Sequence, residues 1–260
     1  MGSIISIVNQ KGGVGKTTTA VNLSASIAAA EKGCLLVDCD PQGNATTSLG
    51  INPLGLETSL YDLILGENIE SKYILETEIP MLNLIGANPD LYGAEVEMFS
   101  RKNKEYLLNN ILSQLKDKYD YIFIDCPPSL GFLTLNALTA ADFFLVPLQC
   151  EYLAMEGLTQ LLNTVRLVTN GLNPSLIMMG ILLTMFDGRN NLSHQVVDEV
   201  RHHFKNSVFQ TVIPRNVSLS EASSHGKPII LYDIRSKGAQ SYLELAKEII
   251  LKGENKGDKT

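Results

Sequence analysis

The 260-residue chain is poor in the residues that staple or chelate. It has four cysteines, Cys34, Cys39, Cys126 and Cys150, and none forms a CxxC pair. Each sits in an apolar setting, so buried free thiols are expected rather than disulfides or a thiolate metal site. The histidines make no better ligands: His202 and His203 are adjacent and point apart on a helix, while His194 and His225 are isolated. Basic residues are in deficit, 21 Lys and Arg against 28 Asp and Glu, for a net charge of −7. That average argues against a strongly basic nucleic-acid binder and leaves room for a local patch. No apolar run reaches the roughly 18–20 residues that span a bilayer. Nor is a signal peptide expected, since the apolar run Ile4–Val8 is short and leads straight into charge. Met1-Gly2-Ser3-Ile4-Ile5-Ser6 meets the loose myristoylation pattern, but the same residues read as the start of a buried strand. A soluble, cytoplasmic protein is expected.

What is present is a chain that is 45% hydrophobic, enough to bury one large core. Short apolar runs recur at Ile4–Val8, Cys34–Asp38, Leu82–Ile85, Tyr121–Asp125, Phe143–Pro147, Ile177–Thr184 and Val208–Ile213. Several are apolar throughout, as suits strands covered on both faces. Helical periodicity lies between them, at Thr17–Ala30, Lys104–Leu115 and Leu158–Val168. The alternation predicts an α/β, doubly wound, mostly parallel sheet with helices on both faces. No repeat or linker interrupts it, so residues 1–251 are expected to form a single domain. The polar stretch 252–260 (KGENKGDKT) reads as a flexible tail.

Between the first strand and the first helix lies Lys11–Thr18, KGGVGKTT. Gly12, Gly13 and Gly15 let successive backbone N–H groups, with that of Val14, turn into one anion-binding concavity. The N-terminus of the following helix, expected to close with Gly33 at C′, adds partial positive charge; Lys16 adds a full one. Thr17 offers a hydroxyl to Mg2+, and Thr18 continues the loop. A lysine at a helix start, where cations are disfavoured, is unexplained by a mere glycine-rich turn. A nucleotide phosphate site is expected.

The early lysine in KGGVGKTT resembles the deviant Walker A ATPases, a P-loop group holding the ParA/Soj partition proteins, MinD, the nitrogenase iron protein and the arsenite pump ATPase. The resemblance implies that Lys11 reaches the partner subunit's nucleotide, making the active site depend on dimerisation. Leu35–Gly50 (LLVDCDPQGNATTSLG) places Asp38 and Asp40 at a strand's end, where carboxylates open into the ligand crevice of α/β folds. It looks like the family's switch I, which makes Asp40 the residue that orients the attacking water. Tyr119–Gly131 (YDYIFIDCPPSLG) is a Walker B pattern, so Asp125 would hold Mg2+, through water. With Val146–Leu158 and Val212–Asp233 these motifs resemble the chromosomal ParA/Soj branch over nearly the whole chain. In that family Pro214 and Asn216 match positions that contact adenine, though both also suit an ordinary turn.

The resemblance further implies ATP and Mg2+ as cofactors, an ATP-bound homodimer, non-specific binding to double-stranded DNA, slow ATPase activity and stimulation by a ParB/Spo0J-type partner. It also implies a nucleoid-associated location. Residues 185–240 carry seven basic against five acidic residues, a net +2, so the remainder carries −9. Arg189, Arg215 and Lys227 are the candidate DNA contacts there, and Ser218 stands where relatives often have arginine. A MinD-like membrane-cycling ATPase is the main alternative. Here, however, Tyr242–Leu251 suits packing on the core, and the residues after Leu251 lack the apolar face of a membrane helix. An enzyme of metabolism or of metal clusters using the same loop is the third reading.

Overall fold

The structure, a computed structural model, describes residues 2–66, 69–152 and 154–257. Eight strands, β1 (Ser3–Ile7), β2 (Cys34–Asp38), β3 (Leu75–Glu76), β4 (Leu82–Ile85), β5 (Tyr121–Asp125), β6 (Phe143–Gln149), β7 (Ile177–Phe186) and β8 (Val208–Pro214), form one sheet in the order β3-β4-β2-β5-β1-β6-β7-β8. All pairings are parallel except that of the edge strand β3 with β4. The helices are α1 (Lys16–Ala28), α2 (Asn44–Ser48), α3 (Leu60–Leu65), α4 (Ala94–Met98), α5 (Leu107–Leu112), α6 (Phe132–Ala140), α7 (Ala154–Gly171), α8 (Asn191–Phe204), α9 (Val217–Ser224), α10 (Ile229–Tyr232) and α11 (Lys237–Gly257).

Side chains of each central strand alternate between two cores, because successive Cβ atoms point to opposite faces. Ile4, Val37, Ile124 and Val146 pack beneath α3 to α8, whereas Ile5, Leu36, Phe123 and Leu145 pack beneath α1, α2 and α9 to α11. Covering both faces explains the continuous apolar runs. Helices α1 and α11 are joined at their buried sides by a hydrogen bond between Thr19 Oγ1 and the Tyr242 hydroxyl, 3.2 Å. Among the described residues no helix is long and apolar enough to cross a membrane.

Several local expectations need correction. Gly33 does not cap α1: the helix stops at Ala28, and Glu31 takes the left-handed conformation, φ 60°. Gly33 instead bonds the start of β5, donating to Asp120 Oδ2 and accepting from the Tyr121 amide. The helix expected over Lys104–Leu115 is a 3-10 turn, Lys104–Tyr106, followed by the shorter α5. Helix α11 runs to Gly257, into the stretch read as a tail; residues 258–260 lie outside the described residues, as does Met1 of the myristoylation pattern. Gly2 is taken up by the fold, its amide donating to the Lys116 carbonyl at 2.9 Å, and backbone atoms of Lys116 and Tyr119 leave no room for a Cβ.

Candidate active site

The C-terminal ends of β1, β2, β5, β6, β7 and β8 meet along one edge of the sheet. That parallel arrangement brings together residues from Asn9 to Asn216. The loop after β1 is anchored by side chains on which sequence reading placed no role. Buried Asn9 donates to the Pro147 carbonyl at 2.7 Å and accepts from the Lys11 amide at 3.0 Å. Thr184, at the end of β7, donates to the Val14 carbonyl at 2.8 Å. The only hint in the sequence was a polar residue following an apolar run. Gly13 (φ 74°) and Gly15 (φ 91°) adopt the left-handed conformation that turns the chain into α1. A Cβ at Gly12 or Gly13 would meet nothing within 4 Å, so the loop's outer side is open.

Lys16 opens α1 yet is only 7% exposed, and its ammonium donates to the Lys11 carbonyl at 3.1 Å. Burial lowers its pKa, and the nearby Asp125 and Asp40 carboxylates offset part of that effect. The register pairs Asp38 of β2 with Asp125 of β5, so two fully buried carboxylates end adjacent strands. Burial pushes Asp38 up to about 6, against the hydrogen bonds it accepts from Thr46 and Asp40. Asp125 is raised well above the carboxylate range, first by burial and then by Asp38. Neither Asp125 oxygen has a hydrogen-bond partner; the Thr17 hydroxyl favours its charge from nearby without reaching hydrogen-bond geometry. Asp40, 7% exposed, accepts from the Gln42 amide through Oδ1 at 3.0 Å.

This donor set fits a magnesium nucleotide. Two buried carboxylates beside a hydroxyl carry negative charge that a hard divalent cation would neutralise. Among the described residues no three His, Cys, Asp or Glu side chains converge on one point. That suits Mg2+, which takes one or two carboxylates and fills its shell with water and phosphate oxygens. The amides at the α1 N-terminus and Lys16 supply the anion side.

Beyond Gly15 and Thr18 opens a cavity of about 360 Å³, lined in part by Thr184, Met185, Pro214 and Asn216. Asn216 precedes α9 without capping it, and its buried Oδ1 has no hydrogen-bond partner, unlike the side chain of an ordinary turn. The first lysine of the loop behaves differently from Lys16: Lys11 is 40% exposed at its side chain and ion-paired with Glu151, just after β6. The basic candidates are all exposed. Arg189 grips Asp187 through Nε and a terminal nitrogen, at 3.0 and 2.9 Å, which holds Asp187 down to about 2. The Arg215 amide bonds the Phe186 carbonyl, so Arg189 and Arg215 share one end of the sheet. Lys227 follows the eight-residue α9, a helix about 12 Å long. The four cysteines are free and buried, as expected.

The comparisons with known proteins agree with this geometry. A family model described as an AAA domain matches residues 2–178. The chromosome partitioning protein ParA of Myxococcus xanthus is 58% identical over 96% of this chain and 88% of its own length. The sporulation initiation inhibitor protein Soj of Bacillus subtilis is 56% identical over 97% and 100%. A Mycobacterium smegmatis crystal structure, described as cobyrinic acid a,c-diamide synthase with bound ADP and magnesium, superposes with a TM-score of 0.85 at 39% identity, covering 96% of this chain and 94% of that one. With a glycine-rich loop after β1, a buried carboxylate closing β5 and near full-length similarity to these partition proteins, the chain belongs to the ParA/Soj family of chromosome-partitioning ATPases within the AAA-domain class.

Proposed function

We propose that this ATPase is a DNA-binding switch: ATP and Mg2+ drive a sandwich homodimer, the dimer binds double-stranded DNA without sequence preference, and hydrolysis stimulated by a ParB-type partner returns it to the monomer. Residues 1–251 serve as one ATPase domain, whose last helix α11 runs on to Gly257, and the ATP form resides on the nucleoid. The observation that carries the nucleotide part is Asp125, a fully buried carboxylate without a hydrogen-bond partner beside Thr17 and Lys16. Thr17 and Asp125 would hold Mg2+, which when bound neutralises phosphate oxygens and the buried carboxylates.

The amides of residues 12–18 and the Lys16 ammonium bind phosphate. Pro214 and Asn216 hold the adenine, for which the free Asn216 oxygen is an acceptor. Asp40 has Oδ1 fixed by Gln42, leaving Oδ2 to accept from the attacking water. Lys11 leaves Glu151 to reach the partner's nucleotide, and nothing in its own chain obstructs a Cβ at Gly12, which an approaching second subunit would exclude. Arg189, Arg215 and Lys227 contact DNA, and dimerisation presents two such local patches to one duplex.

Light scattering after size exclusion, with fluorescence anisotropy on two unrelated duplexes, tests the cycle. With ATP, Gly12→Val stays monomeric, whereas Asp40→Ala retains uncleaved ATP, dimerises and binds both duplexes. Normal dimerisation by the valine variant, or a trapped dimer that ignores DNA, defeats the reading; a trapped dimer that binds anionic liposomes instead would favour a membrane-cycling ATPase.

A further inference from the structure

The proposed cycle gives Asp38 no substrate contact of its own, yet it is fully buried and each hydrogen bond it accepts comes from the segment carrying Asp40. Its Oδ1 accepts from the Asp40 amide at 3.2 Å. Its Oδ2 accepts from both the amide and the hydroxyl of Thr46, at 2.8 and 2.7 Å. Thr46 is itself fully buried in the middle of α2, and its hydroxyl accepts in turn from the Ala87 amide, 3.1 Å away beyond the end of β4. The loop from Asp40 to Thr46 is thus closed at both ends on one carboxylate of β2 and fastened sideways to the neighbouring strand. Gly43 (φ 64°) sits within that loop against Pro53 and the Ala87 carbonyl, where a Cβ would lie 2.8 Å from Pro53.

We infer that Thr46, acting through Asp38, is a positioning residue for Asp40. The physical reason is the tolerance of the chemistry. A group that orients a water must be held to about 0.5 Å, and a misplacement of about 1 Å can cost up to a hundredfold in rate. Asp40 lies on a connecting loop, where the backbone is otherwise free to shift. The Thr46 hydroxyl removes that freedom because it is donor to Asp38 and acceptor for Ala87 at once. Valine has nearly the same shape and can do neither; serine can do both. Thr46 touches none of the proposed phosphate-binding residues in any hydrogen bond of the structure, so its loss acts on hydrolysis more than on ATP affinity.

The inference rests on the reading of Asp40 as the water-orienting group, so Asp40→Ala is measured alongside. The experiment is single-turnover hydrolysis at saturating Mg-ATP, with ATP affinity by calorimetry and melting temperature for each variant. Thr46→Val should slow hydrolysis about tenfold or more while ATP affinity stays within about twofold, and Thr46→Ser should return the rate to within about twofold of wild type. A purely structural threonine would lower the melting temperature and leave the turnover of folded protein unchanged, which overturns the inference. Equal losses of rate and affinity, or no rescue by serine, overturn it too. Should the valine variant fold poorly, Thr46→Ala must show the same split between rate and affinity. Full hydrolysis by Asp40→Ala defeats the reading of Asp40 itself; loss of hydrolysis there with a normal Thr46→Val rate defeats only the positioning role.

Discussion

The phosphate-loop edge of the sheet and the basic surface around Arg189 carry charge in opposite ways. At the edge, Lys16, Asp38 and Asp125 are buried, and neither side-chain oxygen of Asp125 has a hydrogen-bond partner. On the surface, the Arg189 side chain is 90% exposed and already holds Asp187. A buried charge without a partner costs several kcal/mol and calls for a ligand, so its presence is informative. An exposed ion pair contributes about 0–1 kcal/mol, and a phosphate can replace the carboxylate at little cost. The first region therefore argues its own function from geometry, while the second needs the dimer to make it matter.

The largest test of that contrast is at Lys16. Lys16→Ala should weaken ATP binding by about a hundredfold or more, the loss of a charge-assisted interaction in a partly dehydrated loop, with circular dichroism unchanged. Titration calorimetry decides it, and wild-type affinity would remove the basis for the buried site.

Asp125→Asn sharpens the comparison through stability. The folded pKa of Asp38, about 6, and that of Asp125 both lie above the unfolded carboxylate value near 4. Stability from these groups is full below that value and is lost as pH rises through the folded pKa of each. The nucleotide-free protein should therefore become less stable as pH rises from about 4 to beyond 6. The asparagine variant, which cannot ionise, should melt about 3 °C or more above wild type at pH 8 and gain less from added Mg-ATP. Calorimetric scans at pH 5 and pH 8 check the sign: a variant less stable than wild type at pH 8 would mean that Asp125 is stabilised by its surroundings.

The smallest effect belongs to the surface. Arg189→Glu should weaken binding to any duplex a few-fold and make the log–log salt dependence shallower by about 0.9 for each phosphate no longer neutralised, without changing ATP hydrolysis in the absence of DNA. Asp187→Asn, which frees the guanidinium, should act in the opposite direction. Anisotropy titrations at several salt concentrations measure both, and an unchanged slope in the Arg189 variant would take this face out of the DNA-binding surface.

How much was legible depended on how local each feature is. The bounds of β2, β4 and β5 were readable to the residue, because strands covered on both faces leave short, mostly apolar runs. The two-residue β3 left no period to detect, and β7 ran on to Phe186 through Thr184, whose polarity had looked like an end. The loop from Lys11 to Thr18 was readable as a phosphate site because its glycines, lysine and threonine are contiguous, and the left-handed turns at Gly13 and Gly15 are properties of the chain itself.

Seven of the eight strands, the glycine-rich loop and the two strand-end carboxylates are thus features written in runs of neighbouring residues. Only the tertiary structure decided that Asp38 faces Asp125, that Asn9 and Thr184 brace the loop, that Lys11 rests on Glu151, and that Thr46 ties Asp38 to Ala87. The contacts of Asp38, Asn9, Thr184 and Lys11 with those partners, and that of Thr46 with Ala87, join separate elements. They depend on strand order and register, which hydrophobic patterning constrains face by face without stating which strands become neighbours.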